Sequence, residues 1–450
     1  MKSASEALFK RLTDLAQEEM VAYLDSLENP RVLAKQLEAI DLSLLQKQRQ
    51  LIGESVGPHN TFCPLTRYKE SCSSEDIAIG KEAVGRGEVA LLVLAGGQAS
   101  RLRSEKPKGC YPITSLQKKS LFQLLCEKVR AASKQQQREL QVAFMTSPSN
   151  HEETEHFFEE YKFFGLKPKQ VTFFQQSTLP LLDDRGKLFL ESSEQLAKGP
   201  NGNGGLYKAV VVSGLYEKWK KEGIQTVHVL PIDNPLPLPF DFGLMGFHKR
   251  EENEITLVAG EKKDPLESAG NIVESGGKPA IIDYMELLQE KKSARDKEGR
   301  LLYHLSNLGI YCLSLSFIHQ MHTTRLPLHV VKKAVPQWIG GKTITPKEPN
   351  GWKSEYFIFD VLPFAQRSGV VIFPREVTYA PLKNSHGEGS IGSVSASLMA
   401  FDHKVFAEVT GKKPERTAVF ELSPQFYYPT KELQARWQGV ELPGPTYIEE

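Results

Sequence analysis

Four short apolar runs stand out along the chain: EVALLVLA at 88–95, LQVAFMTS at 140–147, KQVTFFQQ at 169–176 and QTVHVLPID at 225–233. Their length and their richness in Val, Leu and Phe predict buried strands. Between them, SLFQLLCEKVRAAS, HEETEHFFEEYKFFG and GLYKAVVVSGLYEKWKKEG repeat apolar residues at helical spacing, the last two ending at Gly165 and Gly223, where glycine suits a helix stop. Strand and helix in alternation imply right-handed crossovers and hence an α/β fold built on a doubly wound, mainly parallel sheet. Residues 1 to about 52 read instead as amphipathic helices, with Leu8, Leu12 and Leu15 on one face, and VGPHNTFCPL lies in a Gly/Pro-rich linker. From Lys383 onward come a polar Gly/Ser stretch, one helix and aromatic, strand-like pieces. Three parts follow: a helical region and linker (1–86), an α/β domain (87–382) and a small C-terminal domain (383–450).

Charge sharpens this picture by exclusion. Fifty-six Lys and Arg face 55 Asp and Glu, a net charge of +1, so no global field recruits nucleic acid or an anionic membrane. Any anion site must be local. The five cysteines are scattered and lack Cys-x-x-Cys spacing, so neither a disulfide framework nor a zinc site is expected. No run of ~18 uncharged apolar residues is present to span a membrane, and the N-terminus lacks the apolar core of a signal peptide. The expectation is a cytoplasmic protein.

The local anion site announces itself in LVLAGGQASRLRSEKPKG, 92–109. Gly96 and Gly97 follow the first predicted strand directly and leave backbone N–H groups bare for a ligand. Arg101, Arg103, Lys106, Lys108 and Lys118 crowd in behind. The spacing is neither G-x-G-x-x-G nor G-x-x-x-x-G-K-[ST], which excludes the dinucleotide fingerprint and the P-loop. In a parallel sheet, ligands gather at the carboxyl ends of strands, where Gly96, Gly97, Gln176 and Asp233 all fall.

AGG, then Arg101, then PKG resembles the signature of sugar-nucleotide pyrophosphorylases. FFGLKPKQVTFFQQSTLP (163–180), NGNGGLY (201–207), HVLPIDN (228–234), KEPNGW (347–352) and APLKN (380–384) follow in the order of the UDP-N-acetylglucosamine pyrophosphorylase family, the eukaryotic-type UDP-sugar pyrophosphorylases. The resemblance covers roughly 85–385. It implies a Rossmann-like nucleotidyltransferase that moves a uridylyl group from UTP to a sugar 1-phosphate, N-acetylglucosamine 1-phosphate in the first place. Formation of UDP-glucose, or a homologue that binds UDP-sugars without turnover, stays open.

By the same resemblance, Gly96, Gly97, Gln176 and Gly202 contact the nucleotide. Arg101, Lys108 and Lys383 neutralise phosphates. Asn203, Gly270, Asp283 and Asn307 hold the sugar. Asp233 carries Mg2+. EYFIFD (355–360), taken as a strand, puts Phe357 and Phe359 on one side as a wall for the acetamido group. The chain departs from the family at Ala99, Ser100 and Arg103, where G-T-R-L-G is usual, and at Asp283, where a glutamate is usual. Oligomeric state is left open.

Overall fold

The computed structural model describes residues 6–53, 62–97, 106–262, 264–267, 269–284, 287–442, 444 and 446–449. They gather into two compact units that do not follow the chain in consecutive blocks. The larger is drawn from Pro58–Gln175, Tyr207–Thr324 and Val361–Glu450, the smaller from Met1–Gly57, Gln176–Leu206 and Arg325–Asp360.

The larger unit is built on ten strands: β1 (Cys63–Pro64), β2 (Val89–Leu94), β3 (Val142–Thr146), β4 (Val171–Gln175), β5 (Thr226–Pro231), β6 (Ile255–Glu261), β7 (Asn271–Ser275), β8 (Lys278–Ile282), β9 (Leu305–Ser314) and β10 (Ser368–Ile372). Neighbours β4, β3, β2 and β5 are all parallel, with Leu92 opposite Ala143 on one side and Val229 on the other. Val89 to Val93 are at most 1% exposed, because helices cover both faces, and a doubly covered strand must read as a continuous apolar run. The order 4-3-2-5 means that the chain winds outward from β2 through β3 to β4, then returns to β2's other edge. A doubly wound sheet reverses at such a switch point, and a crevice opens at the strand ends there. Beyond β5 the sheet turns antiparallel through β9, which also pairs with β6 and β7.

Two of the predicted helices end differently from expectation. The first, expected to reach Gly165, is helical only over His151–Glu160. Lys162, Phe163, Phe164 and Gly165 then take four consecutive left-handed backbone conformations, with φ of 49°, 53°, 52° and 82°. Packing overrides local preference here, since the Phe163 and Phe164 rings both contact Phe158. The second, 205–223, is two helices, Leu206–Val212 and Leu215–Lys221, separated at Gly214 with φ +80°. The C-terminal residues do not form a core of their own. Val394, Leu398, Phe401, Val405 and Phe406 of the helix Ile391–Thr410 belong to the same apolar cluster as Val89, Leu91 and Val93.

In the smaller unit the N-terminal helices Glu6–Asp14, Glu18–Ser26, Arg31–Glu38 and Leu42–Gly53 turn Leu8, Leu12, Leu15, Leu24, Leu33, Leu37 and Leu45 inward against Leu182, Leu188, Leu190 and Leu196. Two-stranded ribbons complete it, Thr178–Pro180 with Lys198–Pro200 and His329–Lys333 with Gly351–Glu355. The buried Gln48 amide binds both, donating to the Pro180 carbonyl at 3.0 Å and to Ser354 Oγ at 3.0 Å.

Candidate active site

At the switch point, the ends of β2 and β5 bring together several of the predicted residues. Gly97 follows β2; its carbonyl accepts the Lys108 N–H at 3.4 Å, and among the described residues nothing lies within 4 Å of where a side chain would stand. Lys108 opens a short 3-10 turn, Lys108–Cys110, that is seated on the helix Leu121–Gln135. Gly109 makes that seat possible: a Cβ there would stand 2.2 Å from the Phe122 ring. The Lys108 ammonium lies 3.3 Å from Asp233 Oδ2 and donates to the Leu382 carbonyl at 3.2 Å. The Leu382 N–H in turn donates to the Asp233 carbonyl at 2.8 Å. Lys383 is therefore delivered beside the strand end by its neighbour; its exposed ammonium lies 3.3 Å from the Tyr379 hydroxyl. Arg101, Arg103, Ala99 and Ser100 lie outside the described residues.

Two asparagines that sequence reasoning missed hold this arrangement. Asn150 donates from Nδ2 to the Ala95 carbonyl at 2.9 Å, pinning the glycine turn. Asn234 donates to the Thr378 carbonyl at 2.8 Å and accepts the Ala380 N–H at 3.0 Å, which fixes the segment leading to Lys383. Their signals were present, a helix-start position in SPSN and the residue after Asp233 in IDN, but neither suggests a ligand.

A second group surrounds the end of β9. The Asn307 N–H donates to the Gly270 carbonyl at 2.9 Å. The Asn307 side chain donates to the Tyr311 hydroxyl at 2.8 Å and accepts the Gly309 N–H at 3.1 Å, where the pairing with β6 shifts register. Such a bulge re-aims a side chain, and the Asn307 amide keeps one further N–H and one further lone pair for another partner. Asp283 is exposed at the end of β8.

Gln176, Gly202 and Asn203 fall in the smaller unit. Gln176 is 6% exposed, and its Oε1 has no donor among the described residues. Asn201 Oδ1 is orphaned likewise, and the Asn201 N–H donates to the Ser177 carbonyl at 2.9 Å, so both amides leave the same ribbon. Asn201 was not singled out individually by sequence, although NGNGG begins with it. Two buried carbonyl acceptors without partners are costly, about 1–3 kcal/mol each, unless a ligand supplies the donors. NGNGG itself is not the loose loop that its composition suggests. Gly202 has φ +87°, and a Cβ on it would meet the Tyr356 carbonyl at 2.4 Å. Asn203 Oδ1 accepts the Ile358 N–H at 2.9 Å.

That last bond also corrects the reading of EYFIFD as a strand. The strand ends at Glu355, and Ile358–Phe364 is a 3-10 helix. Asn203 holds the Ile358 N–H, and Asp360 Oδ2 accepts the Phe357 N–H at 2.8 Å, so neither is free for a ladder. Phe357 and Phe359 still come together by another route, with ring centres 5.0 Å apart and planes 24° from parallel. Both are half-buried, and His329, bonded to Asp360, lies 4.5 Å from the Phe357 ring.

Among the described residues no three His, Cys, Asp or Glu side chains cluster as a metal cage. Asp233 offers one carboxylate, whose Oδ2 lies 3.3 Å from the Lys108 ammonium. This donor set fits Mg2+, which keeps several waters and bridges one or two carboxylates to phosphate oxygens.

A family described as UTP–glucose-1-phosphate uridylyltransferase matches residues 60–442. The UDP-N-acetylglucosamine pyrophosphorylase of Saccharomyces cerevisiae is 35% identical over 391 residues, 82% of this chain and 81% of that protein. UDP-N-acetylglucosamine diphosphorylase 2 of Arabidopsis thaliana is 32% identical over 99% of this chain and 94% of its own length. In fold, the chain is similar to the crystal structure of the Trypanosoma brucei UDP-N-acetylglucosamine pyrophosphorylase, with a TM-score of 0.81 at 23% identity, covering 100% of this chain and 98% of that one. With an α/β nucleotidyltransferase fold and these matches over most of its length, the chain belongs to the eukaryotic-type UDP-sugar pyrophosphorylases, the UDP-N-acetylglucosamine pyrophosphorylase family.

Proposed function

We propose that this protein transfers a uridylyl group from UTP to N-acetylglucosamine 1-phosphate, releasing pyrophosphate and forming UDP-N-acetylglucosamine. The observation that carries the reading is the Lys108–Asp233 pair at the switch point, a cation and a carboxylate side by side where an α/β sheet binds phosphates. In the reaction a phosphate oxygen of the sugar attacks the α-phosphorus in line. One P–O bond forms as the bond to the pyrophosphate oxygen breaks, and charge moves from the α-phosphate onto the leaving group. Such a step needs alignment and charge neutralisation more than covalent help.

In this reading Gly96 and Gly97 present backbone to the nucleotide, and Lys108, Arg101 and Lys383 meet the phosphate charge. The orphaned carbonyls of Gln176 and Asn201 suit a base that offers an N–H, as uracil does at N3, and Gly202 lets the backbone come close. Asp233 would hold Mg2+. When bound, the ion supplies neutralisation of the triphosphate. Asn203, Gly270, Asp283 and Asn307 are assigned to the sugar, and the stacked pair Phe357 and Phe359 to the acetamido methyl.

The test is uridylyl transfer with purified protein, UTP, Mg2+ and each sugar 1-phosphate in turn. N-Acetylglucosamine 1-phosphate is expected to lead glucose 1-phosphate by roughly 10- to 200-fold in kcat/KM, the usual reach of a small apolar slot. Equal or better use of glucose 1-phosphate removes the N-acetyl assignment and leaves the transferase. UDP-sugar binding without pyrophosphate release removes both.

A further inference from the structure

Asp233 opens the segment DNPLPLPF, 233–240, in which Pro235, Pro237 and Pro239 alternate with other residues. Each proline lacks an N–H, so the segment is short of the donors that a local ladder or turn would use, and outside donors make up the difference. Lys128, on the helix Leu121–Gln135, is 1% exposed, and its ammonium donates to three successive carbonyls: Pro235, Leu236 at 3.1 Å and Pro237 at 3.3 Å. An ammonium has three N–H bonds, and all three are used. Downstream, the Tyr428 hydroxyl donates to the Pro239 carbonyl at 2.6 Å and the Phe240 N–H to His228 Nδ1 at 3.0 Å. A buried charge in a helix that packs on the sheet is expensive, but an apolar residue at position 128 would leave these three carbonyls without their donor. The lysine thus ties the helix to the proline segment, which an apolar residue cannot do.

We propose that Lys128 is a positioning residue for uridylyl transfer: its three bonds to 235–237 fix the segment that carries Asp233 at the end of β5. The proposal rests on the reading of Asp233 given above. Lys128 touches neither substrate nor metal in this account and acts through Asp233 alone.

A double-mutant cycle tests it, with Lys128→Met, which keeps length and apolar stem but removes all donors, made in the parent and in Asp233→Asn. In the parent, Lys128→Met is expected to lower turnover and raise the Mg2+ needed for half-maximal rate, each by roughly 10-fold or more, the range typical for residues that orient a metal ligand. In Asp233→Asn the same change is expected to cost less than about 2-fold, since the route through Asp233 is already closed. Hydrogen exchange without substrate or metal gives a second readout, with faster exchange expected at the amides of Asn234, Leu236, Leu238 and Phe240. Equal losses in both backgrounds, or unchanged exchange, overturn the proposal. Near-parental turnover of Asp233→Asn instead overturns the reading of Asp233 itself. Should Lys128→Met fail to fold, Lys128→Gln, which retains two donors, runs through the same cycle with the same criteria.

Discussion

Lys108 and Asp233, separated by 125 residues in sequence, meet with 3.3 Å between ammonium and carboxylate, and the same ammonium reaches the Leu382 carbonyl. Three distant parts of the chain thus converge on one lysine. Replacing Lys108 with Met keeps the stem and removes the charge. Its loss is expected to lower kcat and kcat/KM together by about 10²-fold, as for other preorganised groups that meet charge in a transition state. Steady-state kinetics with UTP varied would show instead an effect on KM alone if the lysine merely binds ground-state phosphate.

Asp233→Asn preserves shape and removes the negative charge. Turnover should fall by two or more orders of magnitude while the unfolding midpoint stays near that of the parent. Restoration of near-parental rates by raised Mg2+ would show that the carboxylate gathers the ion without otherwise shaping the reaction.

The seat beneath Lys108 can be probed without touching a charge. Gly109→Ala puts a methyl where the Phe122 ring stands, at 2.2 Å, with the ring fully buried among Phe144 and Phe158. The ring has nowhere to go. Stability should drop by about 1–3 kcal/mol, the usual cost of overpacking, and activity should fall as well because Lys108 moves with its turn. Denaturant titration and kinetics on one preparation would separate the two losses.

Acid should destabilise the larger unit through its buried imidazoles. His248 is 2% exposed and bonded to Thr256 at 2.9 Å and Ser314 at 3.3 Å; burial pulls its pKa from 6.5 to about 3, and burial does the same to His228. Between pH 6.5 and 3 the unfolded chain therefore binds protons that the folded one refuses, so stability is complete above 6.5 and falls as pH drops through that window. Asp402 opposes them. Burial raises its pKa from 3.8 to about 7, so the folded state holds a proton between those values and gains stability as pH falls from 7 to 3.8. His248→Gln should flatten the slope of unfolding free energy between pH 6 and 4 by about 1.4 kcal/mol per pH unit, and Asp402→Asn should steepen it. An unchanged slope in both variants would exclude these groups.

At Lys162 the backbone is left-handed, φ 49°, and the side chain is exposed. Asparagine tolerates that conformation better than lysine. Lys162→Asn should recover part of the roughly 1–2 kcal/mol that left-handed backbone costs an ordinary residue. A lower melting temperature for the variant would mean that lysine makes contacts here beyond its backbone.

The parallel strands were legible because helices cover them on both faces, so Val89–Val93 had to be apolar throughout. The glycine turn and Asp233 were legible because a doubly wound sheet places strand ends, and hence their next residues, at one edge. EYFIFD misled because strand composition is a local signal, whereas the side chains of Asn203 and Asp360 that claim its N–H groups act from elsewhere in the chain and from within the motif's own turn. Lys128 was invisible for a related reason: on an amphipathic helix a lysine reads as a polar position, and only the fold shows three carbonyls around it. The orphaned acceptors of Gln176 and Asn201 likewise depend on what fails to reach them.

The smaller unit is assembled from three separated stretches of chain, Met1–Gly57, Gln176–Leu206 and Arg325–Asp360. During translation, Leu8, Leu12, Leu24, Leu33 and Leu37 leave the ribosome long before Leu182, Leu188, Leu190 and Leu196, against which they pack. At about 5–20 residues per second, that interval is on the order of ten seconds, during which the N-terminal helices lack these partners for their apolar face. A stretch whose sequence shows no chemistry at all therefore has to wait for Leu182–Leu196 before its apolar cluster is complete.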